Sequence, residues 1–296
     1  MGLKYDISVI IPIYNSQKFI KHCLDSILNQ TLPANRFEII CVNDGSTDAT
    51  DQILREYQSR YTNIIVLNQQ NKGQGPARNA GVAISKGKYI KFVDSDDFLH
   101  PKALSALYET AERTNVDIVV CRAFCVDESG KHVSLLTMWN NIVGCYSKKN
   151  IEELDFFNNI CSPVLWDKLI KADIVKRCLS PSLRRGQDFV TLLSYISLCN
   201  SIYFIDDSLY YYRHHKDSVM AKPESRNTIM TDFQTEKMAL SILKKLFQQT
   251  KAYVFYCKRI KKEWEKRLDN NLILLNDSDI FMIRQMLSDL APSKID

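Results

Sequence analysis

The chain has 296 residues, with 39 Lys or Arg against 34 Asp or Glu and a formal net charge of +5. That length allows one large domain or two modest ones, and 45% hydrophobic and 25% charged residues are ordinary for a globular protein. No apolar run approaches the roughly 20 residues needed to span a bilayer, and the start, MGLKYDISVIIPIYN, lacks a signal peptide's long apolar centre and cleavage site. The nine cysteines are irregularly spaced and form no C-x-x-C pair. This pattern argues against structural zinc and for a reducing, cytoplasmic compartment.

Residues 6–14, DISVIIPIY, predict a strand buried on both faces of a parallel sheet. Asn15 or Ser16 is expected to cap a helix carrying Phe19, Ile20, Cys23, Leu24, Ile27 and Leu28 at helical spacing. Residues 37–43 predict a second strand, which runs into DGSTD. There Ser46 or Thr47 is expected to cap a helix through Ile53, Leu54 and Tyr57, and Asp48 to cap or orient the loop. Residues 63–68 predict a third strand, followed by a Gly-rich loop to Gly75 and a helix from Pro76 towards Ser85. The stretch YIKFVDSDDFL then predicts a fourth strand ending in Asp94, Asp96 and Asp97.

This alternation implies a mostly parallel α/β sheet with right-handed crossovers. Four strand ends would then meet on the edge where such sheets bind ligands. Further along, the pattern predicts a helix near 101–114, a strand at 117–126 and a hairpin through Asp127 and Gly130 into 131–137. Helical, less regular sequence follows from about 150. A short strand pair at 202–205 and 209–212 precedes a mostly helical tail from about 224.

Three acids in four residues at the end of a buried strand repel one another. Asp-x-Asp can hold a divalent cation that in turn holds a diphosphate, or the acids can form a solvated turn capping the next helix. Tyr14 can stack on a nucleobase or pack in the core. Asp44 can accept from the N3–H of uracil or close an Asx-turn. Gly73 and Gly75 let backbone N–H groups approach a ligand. Lys72 is either a phosphate contact or a solvated charge, and Arg78 can reach Asp94, Asp96 or a diphosphate. The convergence of these groups on one edge favours the metal over the solvated turn.

VIIPIYN, VNDGSTD, NKGQGPARNAG, FVDSDD, SPVLWDKLIKADIV with RRGQDF, and YYYRHHKDSV occur in that order. Together they resemble a family 2 glycosyltransferase of the GT-A fold, of the bacterial surface-polysaccharide type, over about residues 5–220. The resemblance implies a catalytic domain at 1–222, with a nucleotide-binding half at about 1–100 and an acceptor half at about 101–222. A helical, basic extension at 223–296 would follow.

The resemblance also implies a metal-dependent, inverting transfer from a UDP-sugar to a hydroxyl of a glycan or lipid-linked acceptor. Capsule, lipopolysaccharide or exopolysaccharide synthesis would be the setting. Pro12, Tyr14, Asn15, Asp44, Lys72, Arg78, Asn79, Asp94 and Ser95 would bind the nucleotide. Asp96, with His214 or His215, would hold Mn2+ or Mg2+, and Asp188 would be the general base. Trp166, Lys168 and Gln187 fall on the acceptor side, where the flat face of Trp166 can stack on a sugar ring or be buried in the core. Gln187 departs from the pattern, which has Glu there.

Residues 241–270 carry nine Lys or Arg against three acids, a net +6, which leaves −1 for the remainder. Basic and aromatic residues at helical spacing suit an anionic membrane surface, which would place the protein peripherally on the inner face of the cytoplasmic membrane; the alternative is a helix packed on the catalytic domain with a solvated basic face. No nucleic-acid-binding fold is recognisable. The rival functions are a sugar nucleotidyltransferase and a non-catalytic membrane-peripheral protein of the same fold.

Overall fold

The computed structural model describes residues 4–136, 142–147, 162–183, 185–216, 224–247 and 251–290. β1 (Tyr5–Ile13), β2 (Phe37–Asp44), β3 (Ile64–Gln69) and β4 (Gly87–Phe92) run parallel in the order β3-β2-β1-β4. They are joined by α1 (Ile20–Leu28), α2 (Thr50–Arg60) and α3 (Gln74–Ile84). Helices cover both faces, so β1 and β2 are buried almost throughout. Their unbroken apolar runs reflect this.

After β5 (Phe98–Leu99) come α4 (Ala103–Thr114), β6 (Ile118–Val126), β7 (His132–Leu136), β8 (Gly144–Ser147) and β9 (Lys168–Lys171). α5 (Ala172–Arg177), α6 (Gln187–Leu198) and β10 (Ser201–Arg213) follow. The sheet order is β3-β2-β1-β4-β9-β6-β10-β5. β9 lies antiparallel to both β4 and β6, so β6 and β10 point the same way as β1 to β4. The hairpin of β6 and β7 forms as expected. The result is the mostly parallel, helix-flanked sheet of a GT-A fold.

β9 is not apparent from sequence, because it is short and carries lysines at both ends. The strand pair expected at 202–205 and 209–212 is one strand, β10, parallel to β6 along its length. Asp206, Asp207 and Ser208, between the two expected strands, lie where the register with β6 shifts. The expected helix caps also differ. α1 and α2 have no side-chain cap at the residue preceding them, and Asn15, Ser46 and Thr47 bond to one another across two loops. Asp48 does orient the start of α2, accepting from Thr50 N at 3.0 Å and Gln17 N at 3.2 Å.

α7 (Arg226–Phe247), α8 (Lys251–Asn270) and α9 (Asp277–Asp289) follow. The boundary expected at 222–223 lies outside the described residues. Ile229, Phe233, Tyr256, Ile260, Trp264 and Leu268 join the same core as Ile10, Ile40 and Val190. The described aromatic and aliphatic residues of 241–270 therefore pack against the protein, as the alternative reading expected. Lys258, Lys262 and Lys266 stand exposed on the outside. Among the described residues, no helix is long and apolar enough to cross a membrane.

Candidate active site

Hydrogen bonds stitch the four strand ends together. Asn15, in the left-handed region at φ 50°, accepts from Thr47 N at 2.8 Å, and its own N–H donates to Ser46 Oγ at 3.0 Å. Ser16 Oγ lies 2.6 Å from Ser95 Oγ. Asp44 accepts from Gln69 Nε2 at 2.7 Å, Lys72 N at 2.9 Å and Gly73 N at 2.8 Å. Gln74 Nε2 donates to Asp94 Oδ1 at 2.8 Å. Pro12 is buried, Lys72 is exposed at the rim, and Tyr14 is 51% exposed at the end of β1. The exposure of Tyr14 removes the core-packing alternative for that ring.

The centre is Arg78, whose side chain is 0% exposed. Its fork donates to Asp94 Oδ1 at 3.0 Å and to both oxygens of Asp188. Asp94 follows β4 by two residues, while Asp188 lies in the first turn of α6, so one guanidinium joins the two halves of the chain. Burial is the main influence on Asp94. The pull of Arg78 opposes it, the charges of Asp188 and Asp96 add to it, and the net result pushes the carboxyl up to about 6. A fully enclosed Arg78 offers nothing to a diphosphate. Its role is to pair the carboxylates.

Asp96 projects beside this pair with its side chain 34% exposed, and its Oδ2 lies 2.8 Å from His215 Nε2. His214 is exposed and turns its backbone N–H to Val126 O at 2.8 Å. Of the two histidines, only His215 lies against the acids. Arg213 holds the loop from below, donating from Nε to Asp96 O and from its backbone N–H to Asp97 Oδ1, both at 2.7 Å. Asp97 caps no helix: it is buried and accepts from Tyr210 Oη at 2.7 Å. Burial, then the charges of Asp96 and Asp94, push its carboxyl well above the usual carboxylate range.

Among the described residues, no group of three or more His, Cys, Asp or Glu is arranged to hold a metal. Asp96 and His215 are two donors, one oxygen and one nitrogen. A site of one or two carboxylates completed by substrate phosphates is the usual arrangement for Mg2+, so Asp96 fits Mn2+ or Mg2+ bound together with a diphosphate, with the His215 nitrogen beside it as the softer donor.

Four residues assigned to binding have other work. Asn79 exchanges two hydrogen bonds with the Ser180 backbone, at 2.9 and 2.8 Å, and so fastens α3 to the loop before α6. Trp166 is buried, its ring stacked on Tyr210 at 4.4 Å, and offers no face to a sugar. Lys168 is buried, with Nζ bonded to Asp167 Oδ1 at 2.6 Å and to the Ser162 and Val164 carbonyls. Gln187 is buried and turns away from the acceptor half, towards Gly75 and Gln74. Gln74 itself carried no sequence signal, being an uncharged residue in a Gly-rich loop.

Residues 8–168 match the family model for glycosyl transferase family 2. The chain is 33% identical over 222 residues to the glycosyltransferase GlyG of Streptococcus pneumoniae, an alignment covering 72% of each chain. It is 33% identical over 216 residues to a poly(ribitol-phosphate) beta-glucosyltransferase of Bacillus spizizenii, covering 71% of this chain but only 32% of that protein. Its fold is similar to that of Staphylococcus aureus TarS 1-349 in complex with UDP, with a TM-score of 0.72 and 20% identity over 96% of this chain and 80% of that one.

Proposed function

The chain belongs to glycosyl transferase family 2, and from that premise we propose that it moves a sugar from a UDP-sugar to a hydroxyl of a cell-surface glycan or lipid-linked acceptor, with inversion. The observation that carries this is the shared guanidinium of Arg78, which ties donor-side Asp94 to Asp188 of the other half. The Asp188 side chain is 19% exposed, so one edge is open to an acceptor. The acceptor oxygen attacks the anomeric carbon on the face opposite the diphosphate, and its proton passes to Asp188. The carbon–oxygen bond to UDP breaks with its electron pair on the leaving phosphate. A single displacement of this kind inverts the centre.

Tyr14 stacks on the uracil. A carboxylate has about four lone-pair sites; Asp44 uses three on Gln69, Lys72 and Gly73, leaving one for the base N3–H. Asp94 takes the ribose side. Mn2+ or Mg2+, held by Asp96 and His215, would supply positive charge to the leaving diphosphate. The name of the Bacillus relative supports a poly(ribitol-phosphate)-like polymer as the acceptor class.

The test is a panel of UDP-sugars, each assayed for UDP release with and without Mn2+, together with Asp188→Asn. The variant is expected to bind UDP as the parent does and to lose transfer by about 10²- to 10⁴-fold. Transfer at the parent rate would remove Asp188 from the role. Turnover of other nucleotide sugars alone would overturn the uridine assignment, and turnover unaffected by chelation would overturn the metal.

A further inference from the structure

Asp188 and its neighbour Gln187 reach the same carboxylate by separate arms. Asp188 does so through Arg78. Gln187, only 4% exposed, does so through a second amide. Its Oε1 accepts from Gly75 N at 3.1 Å, and its Nε2 donates to Gln74 Oε1 at 2.7 Å. Gln74 Nε2 then donates to Asp94 Oδ1 at 2.8 Å, beside Arg78 at 3.0 Å. The direction of the relay follows from chemistry. An ionised carboxylate only accepts, so Gln74 must present its NH₂ to Asp94 and its oxygen to Gln187. Residue 187 must then donate to Gln74 and accept from Gly75, which an amide does and an ionised Glu does not.

We propose that Gln187 and Gln74 are positioning residues for the donor, holding Asp94 Oδ1 in place so that its other oxygen meets the nucleotide. This rests on the donor-side role given to Asp94 above. The relay moves Gln187 from the acceptor side, where the family pattern put it, to the donor side. It also accounts for Gln in place of Glu. A Glu there would leave Gln74 to turn its own oxygen towards Asp94. It would also add a third carboxylate to a buried cluster in which Arg78 bonds the other two.

The experiment is calorimetric titration of UDP, with no acceptor present, into the full chain and into Gln187→Glu, Gln74→Leu and the double variant. Thermal midpoints are recorded in parallel. Each single variant is expected to weaken UDP binding about ten-fold, the size of one hydrogen bond to a charged group. The double variant should be no weaker than either, because the two residues act in one relay. UDP affinity unchanged in Gln187→Glu while transfer falls would return residue 187 to the acceptor side. Additive losses would show two independent roles, and either result overturns the proposal. Gln74 is only partly buried, so Gln74→Leu decides the matter even where Gln187→Glu unfolds. A parent chain that binds no UDP refutes the donor reading itself, and that failure is visible before any variant is made.

Discussion

Replacing Arg78 with Met keeps most of the side chain's length and removes its charge. The guanidinium is fully enclosed, while the two carboxylates it faces are 20% and 19% exposed. Removing one partner of a buried ion pair costs about 3–5 kcal/mol, because the remaining charge loses its compensation. A solvated pair such as Arg60 with Glu56 contributes at most about 1 kcal/mol. The partial exposure of Asp94 and Asp188 puts the expected loss at the lower end, about 3 kcal/mol. At about 2 °C per kcal/mol for a chain of this size, the unfolding midpoint should fall by about 6 °C.

The loss should also depend on pH. Asp94 titrates at about 6 when folded, against an ordinary value of 3.8. The folded state therefore binds more protons than the unfolded state across that window, and Asp94 lowers stability as pH rises through it. Arg78 opposes that rise, so its removal lifts Asp94 further. The deficit of Arg78→Met should be larger at about pH 7.5 than at about pH 5. Thermal unfolding of parent and variant at both pH values measures it. A midpoint shift under about 1 °C, or equal deficits at the two pH values, would refute the compensation argument.

Tyr14→Ala should weaken UDP binding by about 1–3 kcal/mol, the range for one stacked base, with an unchanged unfolding midpoint because the ring is half-exposed. Unaltered affinity in calorimetry would exclude the stack. His215→Ala should raise the Mn2+ concentration needed for half-maximal UDP release by about ten-fold or more, while His214→Ala should leave it unchanged; equal effects would count against His215 as the neighbour of the metal. Gly75→Ala should cost about 1–3 kcal/mol, since its new methyl would meet Pro181 O and lie 2.9 Å from Gln187 Oε1. A midpoint equal to the parent's would show that α3 and the loop before α6 can separate freely.

The donor half was legible because its signals are local. β1 and β2 announce themselves by composition, and each polar cluster follows its strand directly, so the alternation alone brings Tyr14, Asp44 and Asp94 to one edge. The errors fall where a side chain's partner is distant in sequence. Asn79 looks like a nucleotide contact until the Ser180 backbone, 101 residues later, accepts from its amide nitrogen and donates to its oxygen. Trp166 looks like a sugar platform until Tyr210 covers it. The amphipathic pattern of α8 is the same whether its apolar face meets lipid or protein, and only the packing of α7 and α6 beside it decides. Gln187 was visible as a departure from a family pattern, but its meaning depended on Gln74.

The charge balance of the site gives an independent reason to assign a cation to Asp96. Arg78 carries one positive charge and is shared by Asp94 and Asp188, so that trio is already one negative charge in excess before Asp96 is counted. A diphosphate brings further negative charge to the same edge, and a close approach of like charges in a partly desolvated cleft is strongly unfavourable. Arg213 offsets part of this, with its Nε on the Asp96 carbonyl and its other nitrogens on Glu128 O and His22, but its one charge still leaves the three carboxylates one negative charge in excess before a diphosphate arrives. Asp96 is also the most open of the three carboxylates, at 34% against 20% for Asp94 and 19% for Asp188. Positive charge brought in with the donor would therefore meet Asp96 first. Asp94 and Asp188 would stay paired on Arg78, where the amide relay from Gln187 steadies them.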